Sequence, residues 1–195
     1  MARPREFDED AAVARAMETF WRHGYENASL PILLDGMGLT RGSLYKAFSD
    51  KKTLFLIALA RYEAEAVAPA VALLNAKDRG DGVQRIDALF GAVVGAVRKG
   101  DRRGCLLCTT AAGAAATDPD IAAETRRLLN EMRAGFAAAL ADAPASAPRA
   151  DSLSAVLTAQ YTGLRILARA NASLDLIEVS AAETVALVRG SRRDG

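Results

Sequence analysis

Apolar positions recur with a helical period along nearly the whole chain. The shortest and sharpest case is Leu30, Leu33, Leu34 and Met37, at i, i+3, i+4 and i+7, one stripe on a short helix. Gly38 follows and can take the left-handed geometry that ends a helix. Thr40 is then a good N-cap for a second short helix, with Leu44 and Phe48 as its inward face. The other face of that helix carries Gly42, Tyr45 and Lys46, with Arg41 and Ser43 beside its N-terminus. Two short helices around a glycine turn, the second showing small, hydroxyl, aromatic and basic groups, make the pattern of a helix-turn-helix. An ordinary structural helical hairpin gives the same apolar spacing, so the setting has to decide.

The setting is helical throughout. Phe7 to His23 predicts a first helix with Val13, Met17, Phe20 and Trp21 on one face and Gly24 as its stop. Ser29 is placed to cap the second, with Pro31 in its first turn. A fourth begins near Asp50 and carries Leu54, Phe55, Ala58, Leu59 and Tyr62 inward; Pro69 predicts a kink or break near Val67–Pro69. Val83 to Lys99 predicts a fifth helix. Cys105 to about Ala116 predicts a sixth with almost no polar face, expected to be buried. Asp118-Pro119 opens a seventh, whose inner stripe is Ile121, Thr125, Leu128, Met132, Phe136 and Leu140. Asp142 to Ala150 is a Pro/Ala/Ser loop. Two long helices close the chain, from about Asp151 to Ala170 and Leu174 to Arg189, their apolar residues spread wider than one core stripe needs. The expectation is an all-α protein of about nine helices. Residues 1–52 form the helix-turn-helix domain, and residues 53–195 a helical bundle for ligand binding and dimerisation.

Composition narrows the partners. The chain has 195 residues, 51% hydrophobic and 25% charged, with a net charge of +1. It is therefore not a globally basic nucleic-acid binder, and DNA affinity requires Arg41, Lys46, Lys51 and Lys52 on one surface. Lys51 at a helix N-terminus is unfavourable by helix-dipole logic, and a phosphate would compensate it. The Arg3-Pro4-Arg5 arm is either a frayed terminus or a phosphate and minor-groove contact. No secretory signal and no membrane-spanning run is apparent, and two cysteines suit a reducing cytoplasm. One histidine and two cysteines are too few for a zinc site, and no cofactor motif is present.

The segments FWRHGYENASL and GMGLTRGSLYKAFSDKKTLF resemble the DNA-binding domain of the TetR family of transcriptional regulators, over roughly residues 7 to 60. The resemblance implies a homodimer on a palindromic double-stranded operator, released by a small-molecule effector. Arg41, Ser43 and Tyr45 would lie nearest the bases, with Gly42 allowing close approach. Thr40, Lys46 and Lys51 would lie on phosphates, Lys51 as the family's backbone clamp, and Ser29 could join them. Family members often have another aromatic in place of Lys46 and a histidine in place of Ala47, so contacts at these two positions depart from the pattern. The resemblance also implies dimerisation through the last two helices, with Leu157, Tyr161, Leu164, Ala181, Val185 and Val188 as candidate interface residues. It implies a ligand cavity among helices four to seven, with candidates Tyr62, Phe90, Val93, Cys105, Cys108, Met132, Phe136 and Tyr161. These show no convergent charged pair, which points to a small, largely apolar or electrophilic effector.

Cys105-Leu106-Leu107-Cys108 supports two other readings. Spacing i, i+3 brings both sulfurs to one helix face, and the helix N-terminus with Arg102 and Arg103 would lower the Cys105 thiol pKa, as a sensor needs. Inert packing is the plainer alternative, because cysteine behaves as a small apolar residue. A thiol peroxidase is disfavoured, since no histidine follows to relay protons.

Overall fold

The computed structural model describes residues 7–114, 117–143 and 146–189. The Arg3-Pro4-Arg5 arm and the Arg192-Arg193 tail lie outside them. Within these residues all regular structure is helical: α1 (Glu9–Asn27), α2 (Leu30–Met37), α3 (Arg41–Phe48), α4 (Lys51–Tyr62), α5 (Ala68–Asn75), α6 (Gly82–Arg98), α7 (Leu106–Ala112), α8 (Pro119–Ala141), α9 (Ala150–Arg169) and α10 (Leu174–Arg189). The all-α expectation holds, and α4 continues into α5 through a π-turn at Glu63–Val67.

Capping chemistry sets most of the boundaries. Asp8 accepts from Ala11 N, Asp50 from Thr53 N, and Asp118 from both Asp120 N and Ile121 N, each filling an orphan amide of the first turn. Asp81 and Gln84 form a reciprocal capping box at α6. α1 passes Gly24, where φ is +78° and the regular path breaks, and adds a last turn to Asn27. The expected interruption near Val67–Pro69 takes the form of a π-turn just upstream of the proline. Proline has no N–H to give the Glu65 carbonyl, and the wider register, with Ala68 N bonding Glu63 O, absorbs the missing bond upstream without ending the helix. Arg127 of α8 pins that turn by its ion pair to Glu63, and is itself held by Glu124 and Glu131 of its own helix.

α1 and α4 pack antiparallel. Arg61 meets Asp10 at one end, and Lys51 meets the Glu26 carbonyl at the other. Between them Phe20 stands edge-on to Phe55, and Trp21 edge-on to Tyr62, each with ring centroids 4.9 Å apart. α7 departs from the expected helix in two ways. It begins after Cys105, which sits as an extended N-cap, and it is not buried all round: Ala111 and Ala112 face solvent. Alanine exposes little apolar area, so an alanine-rich face does not demand burial. No helix among the described residues is long and apolar enough to cross a membrane.

Candidate nucleic-acid interface and interior cavity

α2 ends at Gly38, whose φ of +66° and ψ of 35° lie in the left-handed region that side chains resist. The chain then turns sharply into α3. Thr40 caps α3 by accepting from Ser43 N at 3.2 Å, and its hydroxyl lies 2.9 Å from the Ser43 hydroxyl. Leu44 and Phe48 are buried, as the spacing predicted. Thr40, Arg41, Gly42, Tyr45 and Lys46 are exposed, and the Arg41 guanidinium lies 5.7 Å from the Tyr45 ring centroid. A Cβ added to Gly42 would meet nothing of the protein within 4 Å, so internal packing does not explain the glycine.

Ser29 occupies the N-cap position of α2, but its hydroxyl makes no capping bond and is exposed. Lys51 stands in the first turn of α4, 4.6 Å from the Tyr25 ring centroid and 3.4 Å from the Glu26 carbonyl. Partial burial holds its pKa below the ordinary lysine value, against the pull of the Glu26 carboxylate. Lys52 departs from the expected basic surface. Its amine is held at 2.9 Å by Asp118 and 2.6 Å by Asp120, so it ties α4 to the start of α8.

A second concentration of chemistry lies inside the bundle. Tyr62, Cys105, Met132 and Tyr161, four of the predicted ligand residues, line one narrow cavity with room of about 20 Å³, enough for one water. Val93 and Tyr161 line a neighbouring one of about 130 Å³. Phe90 and Phe136 are fully buried and pack with Tyr161 as an aromatic cluster, with centroids 6.0 to 6.2 Å apart. Cys108 is half-buried, its thiol facing the Thr162 carbonyl at 3.9 Å.

Arg165, which lines both cavities, was missed. It donates to the Tyr161 hydroxyl at 2.8 Å, the Gly104 carbonyl at 2.8 Å and the Tyr62 hydroxyl at 3.3 Å. Its place one turn after Tyr161, on the edge of an apolar stripe, was the available signal. The cavity region is therefore not free of charge. Tyr62 donates to Cys105 Sγ at 3.5 Å. The Cys108 thiol bonding to Cys105 lowers the Cys105 pKa well below the ordinary thiol range, against burial, with Arg165 and Tyr62 adding to the effect. The same bond and burial push Cys108 up. The cations expected beside Cys105 point elsewhere: Arg103 pairs with Asp101 and Glu18, and Arg102 donates to the Ala172 carbonyl.

Of the candidate interface residues, Leu157 and Leu164 are 1% exposed, Val188 1%, Val185 3%, Ala181 5% and Tyr161 7%. They are core residues of the chain itself. The outward apolar residues of α9 and α10 are Val156, Ile166, Leu176, Val179 and Leu187. Both sets follow a helical period; the inner set is consumed by packing on α6 and α8, which the sequence pattern could not assign.

The tight turn and the exposed, capped second helix define a helix-turn-helix of the kind that enters a DNA groove. Comparison with known proteins agrees. The family model "Bacterial regulatory proteins, tetR family" matches residues 12–58, and the model "Transcriptional regulator LmrA/YxaF-like, C-terminal domain" matches residues 82–183. The uncharacterised HTH-type transcriptional regulator YezE of Bacillus subtilis is 32% identical over 137 residues, 70% of each chain. The HTH-type transcriptional repressor ComR of Escherichia coli is 47% identical over 60 residues, 31% of this chain but only 29% of its own length. A structure of a cysteine mutant of the TetR family regulator CifR, complexed with a 26-bp operator DNA, is 27% identical. It superposes with a TM-score of 0.80, covering 94% of this chain and 98% of that one. The reduced form of Escherichia coli NemR shares the fold at 19% identity and a TM-score of 0.74, covering 90% and 94%. The chain belongs to the TetR family of transcriptional regulators.

Proposed function

We propose that the protein is a homodimeric repressor that binds a palindromic operator and is released by a small molecule. The observation that carries this reading is the solvent face of α3. Arg41, Gly42, Tyr45 and Lys46 are exposed there with no internal packing role, beside Lys51 and the uncapped Ser29 hydroxyl. Arg41, Ser43 and Tyr45 read bases, while Thr40, Lys46, Lys51 and Ser29 hold phosphates. Repression, rather than activation, rests on relatives such as ComR, named a repressor. Residues 1–52 serve DNA binding and residues 53–195 effector binding and pairing. Pairing uses the outward face of α9 and α10, where Val156, Val179 and Leu187 flank a groove of about 330 Å³. A second copy would bury these side chains and set two recognition helices about one helical turn of DNA apart. Selection of bound DNA from a random pool tests the reading: a two-fold symmetric consensus is expected, and selection without symmetry or enrichment overturns it. A compound screen for release then identifies the effector, which must bind the DNA-incompetent state better.

A second reading rests on Cys105. Its sulfur faces Tyr62 and Arg165, and Cys108 lies one turn on. Because Cys105 is an N-cap outside the helix, a bond to Cys108 need not break an intact helical turn. The Cys105 thiolate attacks a peroxide, giving a sulfenic acid and hydroxide; the Cys108 thiol then displaces water and closes a disulfide. Gly104, next to Cys105, accepts from Trp21 of α1 and from Arg165, so the change reaches the DNA-binding domain. Peroxide should release operator from the parent but not from the Cys105→Ser, Cys108→Ser variant. Equal binding before and after oxidation in both would leave the thiols as packing.

A further inference from the structure

A concave groove of about 690 Å³ opens where the end of α1 meets the α6–α7 loop and the α9–α10 turn. Its wall carries Arg22, Lys99, Arg102, Arg103 and Arg169, with Asp101 the one acidic lining residue. Glu18 at the rim accepts from Arg22 and Arg103. Five cations thus face two carboxylates, and the surplus has no partner of opposite charge among the described residues. Arg103 is neutralised by Asp101 and Glu18 and lies flat over Trp21, 4.0 Å from the ring centroid. Arg102 gives its bond to the Ala172 carbonyl. Arg169 donates to the carbonyls of Trp21, Arg22 and Arg103. Carbonyl bonds fix these guanidinium groups in place but leave their charge in the groove. Lys99 is exposed, with no ion-pair partner among the described residues.

We infer that this groove binds a small phosphate-bearing polyanion, a di- or triphosphate compound, away from the recognition helix and beside the interior cavity, with which it shares Asp101. The volume exceeds what a single phosphate fills and lies in the range of small-molecule sites. The basin is broad and open to solvent, so a flexible polyanion can lie along its cations, whereas the backbone of a duplex is met by projecting side chains such as Lys46. Guanidinium groups pre-oriented by backbone bonds fit phosphate oxygens without first having to be ordered. The walls belong to α1 on one side and to the α6–α7 loop and the α9–α10 turn on the other. A bound polyanion therefore joins the DNA-binding helices to the effector bundle, and its site does not depend on the identity of the effector.

The test is calorimetric titration of tripolyphosphate into the full-length protein at low ionic strength, with sulfate at matched ionic strength as control. The groove predicts saturable binding at one site per chain that weakens with salt. Lys99→Glu, at an exposed residue with no partner to lose, should weaken it by about tenfold or more, and Arg102→Gln similarly. Lys46→Ala and Lys51→Ala should leave it within about twofold. Absence of saturable binding up to roughly 1 mM overturns the proposal. So does unchanged affinity in Lys99→Glu, or an equal loss in Lys51→Ala, which would put the anion on the DNA-binding surface.

Discussion

The proposed recognition and thiol chemistry both rest on single side chains. Lys46 and Lys51 are exposed or half-exposed, and neither forms an ion pair among the described residues. Lys46→Ala or Lys51→Ala should weaken binding to every DNA sequence and lower the salt slope by about one unit each, read from binding isotherms at several salt concentrations. Tyr45→Ala should instead lose specific binding more than non-specific binding. Parent-like binding by all three variants would remove α3 from the interface. At Cys105 the direction of the pKa shift is the checkable quantity. Its thiol is held down by Cys108, Arg165 and Tyr62, so the thiolate forms below the ordinary thiol range. Thiolate absorbance followed against pH should show that early transition in the parent and a higher one in Arg165→Gln. A parent transition in the ordinary thiol range would leave Arg165 without the assigned role.

Between elements, ion pairs tie together helices far apart in sequence. Lys52 joins α4 to the first turn of α8, and Asp142 joins the end of α8 to Arg85, only 1% exposed, at the start of α6. Removing the carboxylate strands a buried guanidinium, one nitrogen of which, Nη1, already has no partner among the described residues. Asp142→Asn should therefore lower the Tm, while Arg85→Met, which removes the buried charge itself, should cost less. The sign with pH follows. Arg85 first, then Lys77, depresses the folded Asp142 carboxyl below its usual 3.8. Its stabilisation is complete above the unfolded value and lost as pH falls through the depressed one. The pH dependence of Tm below 3.8 should thus be flatter in Asp142→Asn than in the parent.

For the whole molecule, the proposed dimer depends on the outward face of α9 and α10. Val179→Glu or Leu187→Glu, at residues 52% and 56% exposed, should yield helical monomers by sedimentation, with reduced operator affinity. Leu164→Glu or Val185→Glu, at 1% and 3%, should disrupt the protomer itself, because an unpaired charge would enter its core. Dimers that persist in both exposed variants would move the interface elsewhere.

The sequence by itself determined the local structure. Asp8, Thr40, Asp50, Asp81 and Asp118 cap their helices, Gly38 turns left-handed, and the stripe from Leu30 to Met37 faces inward, because these are decided by groups within one helical turn. It also exposed the family, since the resembling segment is short, contiguous and rich in such signals. Tertiary structure alone decided the use of each charge and each apolar face. Arg165 reaches Tyr62 and Gly104, and Lys52 reaches Asp118, across separations of about sixty to a hundred residues. No periodicity encodes these meetings. For the same reason the pattern could not separate Leu164, packed inside, from Ile166, left in solvent: both are apolar residues on one helix, and only the position of the neighbouring helices distinguishes them.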